Sequence, residues 1–153
     1  MNPKLDVPDS VHAGDRKMTD SISTPRFDLV AATEALLEAE LVDRSRLPAL
    51  LDAEVPPGWP PPLNDDESFR WLLRELRGDA TCEEWGGRYV LLRREPDQPI
   101  TVGFAGFKGP PRDGVVEVGY SIMEPFQRRG YAAEVVEGMT TWVGAIRFAV
   151  QRM

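Results

Sequence analysis

The sequence predicts an α+β protein in which an antiparallel meander of strands forms the central sheet and helices cover both of its faces. Three observations lead to this fold class. Apolar residues of the first half recur at helical spacing, whereas those after Trp85 alternate at every second position. The last strand candidate then runs through a glycine loop into one more helical segment. A chain of 153 residues has room for one such domain.

The composition is that of an ordinary globular domain, and it narrows the classes of function. The net charge of −7 argues against a nucleic-acid-binding protein, because neutralising phosphates requires a basic face. Cys82 and His12 are the only residues of their kinds, so we expect neither a disulfide framework nor a Cys/His metal site. No apolar run has membrane-spanning length and no secretory leader is visible, which predicts a cytoplasmic protein that binds no membrane.

The first third of the chain predicts a tail, a strand and two helices. Residues 1–25 lack periodic apolar spacing and predict a disordered tail, so the domain would span residues 26–153. Residues 27–30 are a strand candidate. Thr33 is a suitable N-cap for the helix that follows, and Pro48 indicates the first turn of a second short helix, because proline is tolerated there and not further on.

A proline-rich loop and an amphipathic helix come next. Residues 55–62 surround Trp59 with five prolines and can form neither a helix nor a central strand. Asn64 is the predicted N-cap of the following helix, with Glu67 at the carboxylate position of a capping box. Gly78 is the predicted end of this helix.

Three strand candidates rich in Val, Tyr, Phe and Ile occupy residues 88–94, 100–107 and 115–123. Because short turns join them, they predict the antiparallel meander. A glycine loop and a helix follow the third strand. Residues 143–153 are open to two interpretations, since Gly144 allows the helix to continue or to stop before a final strand.

The sharpest chemical signal is the loop at residues 127–132, which reads Gln-Arg-Arg-Gly-Tyr-Ala between a strand and a helix. The first N–H groups of a helix lack intrahelical partners, and the helix dipole favours an anion there. Gly130 permits close backbone approach, Ala132 keeps the first turn clear, and two arginines add charge. The pattern predicts a pyrophosphate cradle, although a glycine that merely starts a helix is the alternative. It has neither the Rossmann nor the Walker glycine spacing.

This segment resembles the acetyl-CoA loop of the GNAT superfamily of acyl-CoA N-acyltransferases, especially its branch of ribosomal-protein N-terminal acetyltransferases. Residues 127–134 match the family's Q-x-x-G-x-G/A loop, and residues 116–122 match its splayed central strand. Residues 103–107 are similar to the strand before it. The likeness covers residues 27–142 and is specific only in its last third.

The resemblance implies an N-acetyltransferase that moves an acetyl group from acetyl-CoA to a primary amine by direct attack. The amine could be a protein N-terminus or a small molecule. The resemblance also implies that the loop holds the CoA pyrophosphate, that the end of the strand pairs with pantetheine, and that an amide there steadies the thioester oxygen. The implied acetyl-CoA-binding residues are Ile122, Met123, Glu124, Gln127, Arg128, Arg129, Gly130, Tyr131 and Ala132.

Glu117 is our candidate for the base that takes the proton of the acceptor amine. Alternation along the predicted strand puts it on the face opposite Val116 and Val118, beside Gly119. An ordinary charge on a solvated face is the alternative for Glu117.

The end of the chain departs from the family pattern, because members of the family usually continue with further strands. We therefore expect the terminal strands to be missing or supplied by a partner chain, as in a homodimer that exchanges residues 143–153. A non-catalytic remnant that binds acyl-CoA or a protein is the alternative to an active enzyme.

Acidic residues are concentrated in residues 31–67, which hold nine acids and two bases and thus the entire net charge of −7. A negative rim that attracts a cationic acceptor, with Trp59 offering its ring to the same cation, is one interpretation. Ordinary solvated helices, with Trp59 packed as a lid on the core, are the other.

Overall fold

The computed structural model describes residues 21–146, which form one five-stranded sheet with helices on both sides. All neighbouring strands are antiparallel, and their order in the sheet is their order in the chain. The strands are β1 (Ser21–Ser23), β2 (Phe27–Ala31), β3 (Gly87–Arg94), β4 (Asp97–Phe107) and β5 (Val118–Ile122). The predicted α+β class with an antiparallel central meander is confirmed.

Five helices and two 3-10 turns complete the described chain. The helices are α1 (Glu34–Val42), α2 (Leu47–Leu51), α3 (Asp66–Gly78), α4 (Cys82–Trp85) and α5 (Tyr131–Ile146). The 3-10 turns are Arg44–Arg46 and Glu124–Phe126. Four of the helices lie between β2 and β3 in the chain, and α5 follows β5.

The alternation of β3 divides the core into two layers. Val90 packs with Val135 and Met139 of α5 on one face of the sheet. Tyr89 and Leu91 point to the other face, where the leucines of α1 and α2 and the apolar residues of α3 cover them. Successive side chains of β3 point to opposite faces of the sheet, and both faces are buried. The prediction of helices on both faces is confirmed.

The helix starts agree with the sequence patterns, with one correction. Thr33 Oγ1 accepts a hydrogen bond from the Leu36 amide at 3.2 Å and caps α1 as predicted. The cap of α3 is Asp65, whose Oδ1 accepts from the Ser68 amide at 2.9 Å, and not Asn64. A carboxylate suits the positive end of a helix better than a neutral amide does, so α3 begins one residue later than predicted.

The third meander strand is shorter than predicted. Arg112 and Val115 pair with each other across a tight reversal in which Asp113 and Gly114 have φ angles of 52° and 77°. Val115, the first residue of the predicted strand, belongs to this turn, and residues 116–117 have no regular structure. The strand β5 therefore begins only at Val118.

The two ends of the described chain test the predicted disordered tail and the two interpretations of residues 143–153 in part. Residues 21–23, at the end of the predicted tail, form β1, which buries Ile22 against the sheet. Residues 1–20 lie outside the described residues. Residues 143–146 continue α5, and the alternative of a later strand falls on residues 147–153, which also lie outside them. Among residues 21–146, no helix combines the length and apolar character that crossing a bilayer requires.

Candidate functional site

The loop before α5 has the backbone conformation of an anion cradle. Arg128 and Gly130 have φ angles of 62° and 79°, in the left-handed region that favours glycine. Alternation of left-handed and ordinary residues turns successive N–H groups to the same side of the chain. Because the loop leads directly into the 16 residues of α5, these amides lie at the positive end of a long helix dipole.

The start of the loop is closed by a side chain. Gln127 Nε2 donates to the Ile122 carbonyl at 2.8 Å, which joins the loop to the end of β5. The carbonyls of Met123 and Glu124 each accept from the amide three residues further on, those of Phe126 and Gln127, within the 3-10 turn. This bond and the 3-10 turn therefore hold the start of the loop against the end of β5.

The other side of the loop is tied to the turn between β1 and β2. Glu134, on the first turn of α5, accepts hydrogen bonds from Thr24 Oγ1 at 2.6 Å, from the Arg26 amide at 2.7 Å and from Arg26 Nε at 2.6 Å. Partial burial acts to raise the pKa of Glu134, but these bonds outweigh it and hold the pKa below its ordinary value. The Arg26 guanidinium also lies 4.8 Å above the Tyr131 ring. A Cβ at Gly138 would come within 2.4 Å of Thr24 Cγ2, so only glycine permits this contact.

A cleft of about 550 Å³, which we call the loop cleft, opens between this loop, the start of α5 and the end of β5. Its lining includes Gln127, Arg128, Gly130, Tyr131 and Ala132, which are five of the predicted acetyl-CoA-binding residues. Ile122 lines it as well. The structure thus brings the loop and the end of the strand together as the resemblance implied.

A second cleft of about 510 Å³, which we call the strand cleft, lies between α3 and the surface of β4 and β5. Apolar side chains, among them Trp71, Leu72 and Phe104, form most of its wall. Leu63, Tyr120 and Ser121 line both clefts. The two clefts therefore meet along the outer part of β5.

The outer edge of β5 offers backbone groups at this junction. The Met123 amide donates to the Val102 carbonyl at 2.8 Å, so Met123 faces β4. Alternate residues of an antiparallel strand face away from the partner, which turns the backbone of Tyr120 and Ile122 outward. Gln127 occupies the Ile122 carbonyl, which leaves the Ile122 amide and both groups of Tyr120 on the edge.

Glu117 is not brought together with the other predicted residues. It precedes the first residue of β5, its side chain is exposed, and it lines neither cleft. Its carbonyl accepts from the Lys108 amide at 3.0 Å. The described residues that line the two clefts include no Asp, Glu or His.

The sequence analysis assigned no functional role to two polar residues that line the strand cleft. Ser121 is buried, and its Oγ accepts from the Leu63 amide at 3.3 Å. Asn64 lines the strand cleft, and its Oδ1 is buried without a hydrogen-bond partner among residues 21–146. The only signal was a serine in an apolar strand, which is too common to single out.

The acidic stretch is largely neutralised by arginines, several of which come from outside it. Arg77 of α3 forms ion pairs with Glu34 and Glu38 of α1. Arg94 of β3 contacts Glu54 at 2.8 Å. Folding thus pairs charges that are separated in the sequence, which removes much of the basis for a negative rim.

Trp59 has the contacts of a lid on the core. Its Nε1 donates to Glu40 at 2.9 Å, and its ring stacks on Tyr89 with 6.0 Å between the centroids. The buried Glu40 carboxylate also accepts from Tyr89 Oη at 2.7 Å and from Arg44 Nε at 2.8 Å. Burial, together with this carboxylate, raises the pKa of Tyr89 far above its ordinary value.

Comparison with known proteins points in one direction. Residues 33–150 match the family model described as the acetyltransferase (GNAT) domain. No curated protein matches the chain. The structure is similar to that of an acetyltransferase of the GNAT family from Bacillus anthracis, with 19% identity, 81% of this chain and 66% of that chain covered, and a TM-score of 0.48.

Two further solved structures are similar to a comparable degree. An acetyltransferase from Agrobacterium tumefaciens has 20% identity, with 81% of this chain and 66% of that chain covered, and a TM-score of 0.47. An acetyl transferase from Salmonella typhimurium, described as modifying the N-terminal serine of a 50S ribosomal subunit protein, has 17% identity, 81% and 67% coverage and a TM-score of 0.46. The chain spans slightly less than two thirds of the first two structures.

Proposed function

We propose, from the premise that the chain belongs to the GNAT acetyltransferase family, that it moves an acetyl group from acetyl-CoA to a primary amine. The observation that carries this proposal is the junction of the two clefts. A helix-start loop with two left-handed residues opens on one cleft, and this cleft meets a second, apolar one along the open edge of β5. Such a pair of clefts suits two substrates that react where they meet.

In this proposal the loop holds the pyrophosphate of acetyl-CoA. The amides of residues 128–132 and the charge of Arg128 face it, and oriented amides contribute more than exposed side chains. Arg129 contributes less, because its guanidinium donates to the Pro125 carbonyl at 3.2 Å. Pantetheine pairs with the outward backbone groups of Tyr120, which leaves the Ile122 amide for the thioester oxygen. Met123 and Glu124, which the resemblance also implied, act as parts of the turn that shapes this edge.

The transfer itself requires a neutral amine. Acetyl-CoA supplies a thioester, whose carbonyl carbon is attacked by the amine nitrogen. The new C–N bond forms, the C–S bond breaks, the amine loses one proton and the departing thiolate gains one. The Ile122 amide at the junction stabilises the negative charge on the carbonyl oxygen. Glu117 stays our candidate base and acts through water, because it lines neither cleft.

The cradle is tested by titrating acetyl-CoA into wild type and a Gly130→Glu variant in a calorimeter. We expect no measurable binding in the variant, because the glutamate side chain occupies the position of a phosphate and its negative charge repels the phosphate. At a φ of 79° the variant should also lose about 1–2 kcal/mol of unfolding free energy. This is a fraction of the stability of an ordinary domain, so we expect the variant to fold.

The control is Gly144→Glu, near the far end of the helix that follows the loop. A Cβ there meets nothing within 4 Å, so this variant should bind acetyl-CoA as wild type does. Wild-type affinity in a folded Gly130→Glu protein would remove the pyrophosphate assignment.

A second candidate function is acyl-CoA binding without turnover. The observation in its favour is that no Asp, Glu or His is among the described residues lining the two clefts. Thiol release from acetyl-CoA with a panel of primary amines separates the two functions. Release that depends on an amine supports the transferase, whereas binding without release supports the second candidate.

We also propose that a second copy of the chain covers the outer edge of β5 near Val118, since β5 ends the strand order among the described residues. A monomer in light scattering at micromolar concentration would contradict this homodimer. The cytoplasmic location stays a prediction from the sequence.

A further inference from the structure

We infer that the strand cleft selects an acceptor that has an apolar group beside its amine and an anionic group about 7 Å from that amine, two strand residues of 3.3–3.4 Å each. This inference rests on the proposed function and identifies the class of its second substrate. It replaces the cationic acceptor that the acidic stretch suggested.

The apolar requirement follows from the wall of the strand cleft. Leu63, Trp71 and Tyr120 line it while remaining 77%, 46% and 49% exposed. Large apolar side chains left in contact with water around a concave surface are typical of a site that buries an apolar ligand group. Below them, Phe104 and Leu72 continue the wall into the core.

The anionic requirement follows from Lys108. Among the described residues it is the only charged residue that lines the strand cleft, and it forms no ion pair with any of them. The acids nearest to the cleft in sequence include Asp65, Glu67 and Glu117, and none of them lines it. Asp65 caps α3, Glu67 pairs with Arg70, and the exposed Glu117 contacts Lys108 through its backbone carbonyl. The cleft therefore offers an unpaired positive charge to its ligand and no carboxylate that would receive a cation.

The spacing follows from the register of β5. The Lys108 chain leans over Gly119, since a Cβ at Gly119 would lie 3.7 Å from Lys108 Cε. Ser121 lies on the same face two residues further along, at the junction with the loop cleft. The amine lies at Ser121, where the clefts meet, and the anion lies at Lys108 beside Gly119. Two residues of an antiparallel strand therefore separate the amine from the anion by about 7 Å.

This separation selects among amino compounds. The α-carboxylate of a free amino acid lies too close to its own amine to reach Lys108. An acidic side chain on the second residue of a peptide, or an equivalent small amine, has the required length. Asn64 Oδ1, buried and without a partner among the described residues, is an acceptor bordering the same cleft that an N–H of such a ligand would satisfy.

Three dipeptide amides test the charge: phenylalanyl-glutamate amide, phenylalanyl-glutamine amide and phenylalanyl-lysine amide. Their Kd values are measured by calorimetry at low ionic strength with CoA present, and their acetylation is followed by thiol release. We expect the glutamate peptide to bind about threefold more tightly than the glutamine peptide, and the lysine peptide to bind most weakly.

The variant Lys108→Glu should invert this order. Arg74→Glu is the matched control, because it makes the same change of charge at an exposed position of α3 that lines neither cleft. An order that is the same in wild type and Lys108→Glu, tightest wild-type binding of the lysine peptide, or no binding of any peptide would each overturn the inference.

Gly119→Val provides an independent variant. The φ of Gly119 is outside the left-handed region, so valine fits the backbone, while its side chain fills the floor of the cleft beside Lys108. We expect all three peptides to bind several-fold more weakly and acetyl-CoA to bind as before. Absence of acetyl-CoA binding in wild type would contradict the proposed function, whereas the order of peptide Kd values tests the acceptor class separately.

Discussion

The loop cleft is built mainly from backbone, whereas the strand cleft is built from side chains that come from distant parts of the chain. The loop cleft depends on the left-handed residues Arg128 and Gly130 and on the start of one helix. The strand cleft needs Trp71 of α3, Phe104 of β4 and Ser121 of β5 to meet. A backbone site leaves a local motif in the sequence, and a side-chain site leaves none until the fold is known.

The sequence analysis predicted features that depend on neighbouring residues and missed features that depend on distant contacts. The cap at Thr33, the meander and the glycine loop before α5 depend on neighbours within a few residues, so spacing was enough to predict them. Glu117 was misjudged in position because the turn at Asp113 and Gly114 delays the start of β5. The two interpretations of the acidic stretch could not be separated from the sequence, because Arg77 and Arg94, which pair with it, come from later elements.

The largest effect should come from Glu40→Ala, which acts on the strand cleft. The change removes the acceptor of Tyr89, Trp59 and Arg44. It leaves the buried Tyr89 hydroxyl and the half-buried Trp59 N–H without that partner, whereas Arg44 keeps its ion pair with Asp66. We expect a loss of about 3 kcal/mol in the free energy of unfolding, measured by urea denaturation. Trp59 lies in the loop that leads to Leu63 and Asn64, and Asn64 lines only the strand cleft. The Kd of an acceptor amine should therefore rise more than that of acetyl-CoA.

Glu38→Ala is the control for this prediction. Glu38 lies on the exposed side of α1, the helix that also holds Glu40, and pairs with Arg77 of α3. Loss of this surface ion pair should cost less than about 1 kcal/mol. Equal destabilisation by the two variants, or a parallel loss of acetyl-CoA affinity in Glu40→Ala, would contradict the separation of the two clefts.

A smaller effect, confined to the loop cleft, should follow from Glu134→Gln. The variant weakens the bonds to Thr24 and Arg26 that orient the first turn of α5, at a cost of about 1–2 kcal/mol. Acetyl-CoA affinity should fall several-fold and acceptor affinity should not change.

The same variant has a defined pH dependence. The pKa of Glu134 is lowered in the folded protein, so its contribution to stability is complete at neutral pH and is lost as the pH falls through the ordinary range of a glutamate and below. The difference in Tm between wild type and Glu134→Gln should therefore shrink in that range. A difference that grows with acidification would show that another group controls the loop.

The smallest effect should come from Arg128→Gly compared with Arg128→Ala. Both variants remove one exposed charge and should weaken acetyl-CoA binding about two- to fivefold. Glycine also relieves the left-handed backbone at φ 62°, so this variant should be up to about 1 kcal/mol more stable than the alanine variant. Identical Tm values for the two would mean that the loop changes its backbone when the side chain is removed.

The tether between Thr24 and Glu134 also constrains the order in which the domain can assemble. The two residues are 110 positions apart, so the bond closes almost the whole described chain into a single ring. Closing so long a ring is slow compared with forming local helices, because the entropy of the open chain must be lost first. During synthesis, the contacts that hold the loop cleft therefore form only after α5 has left the ribosome.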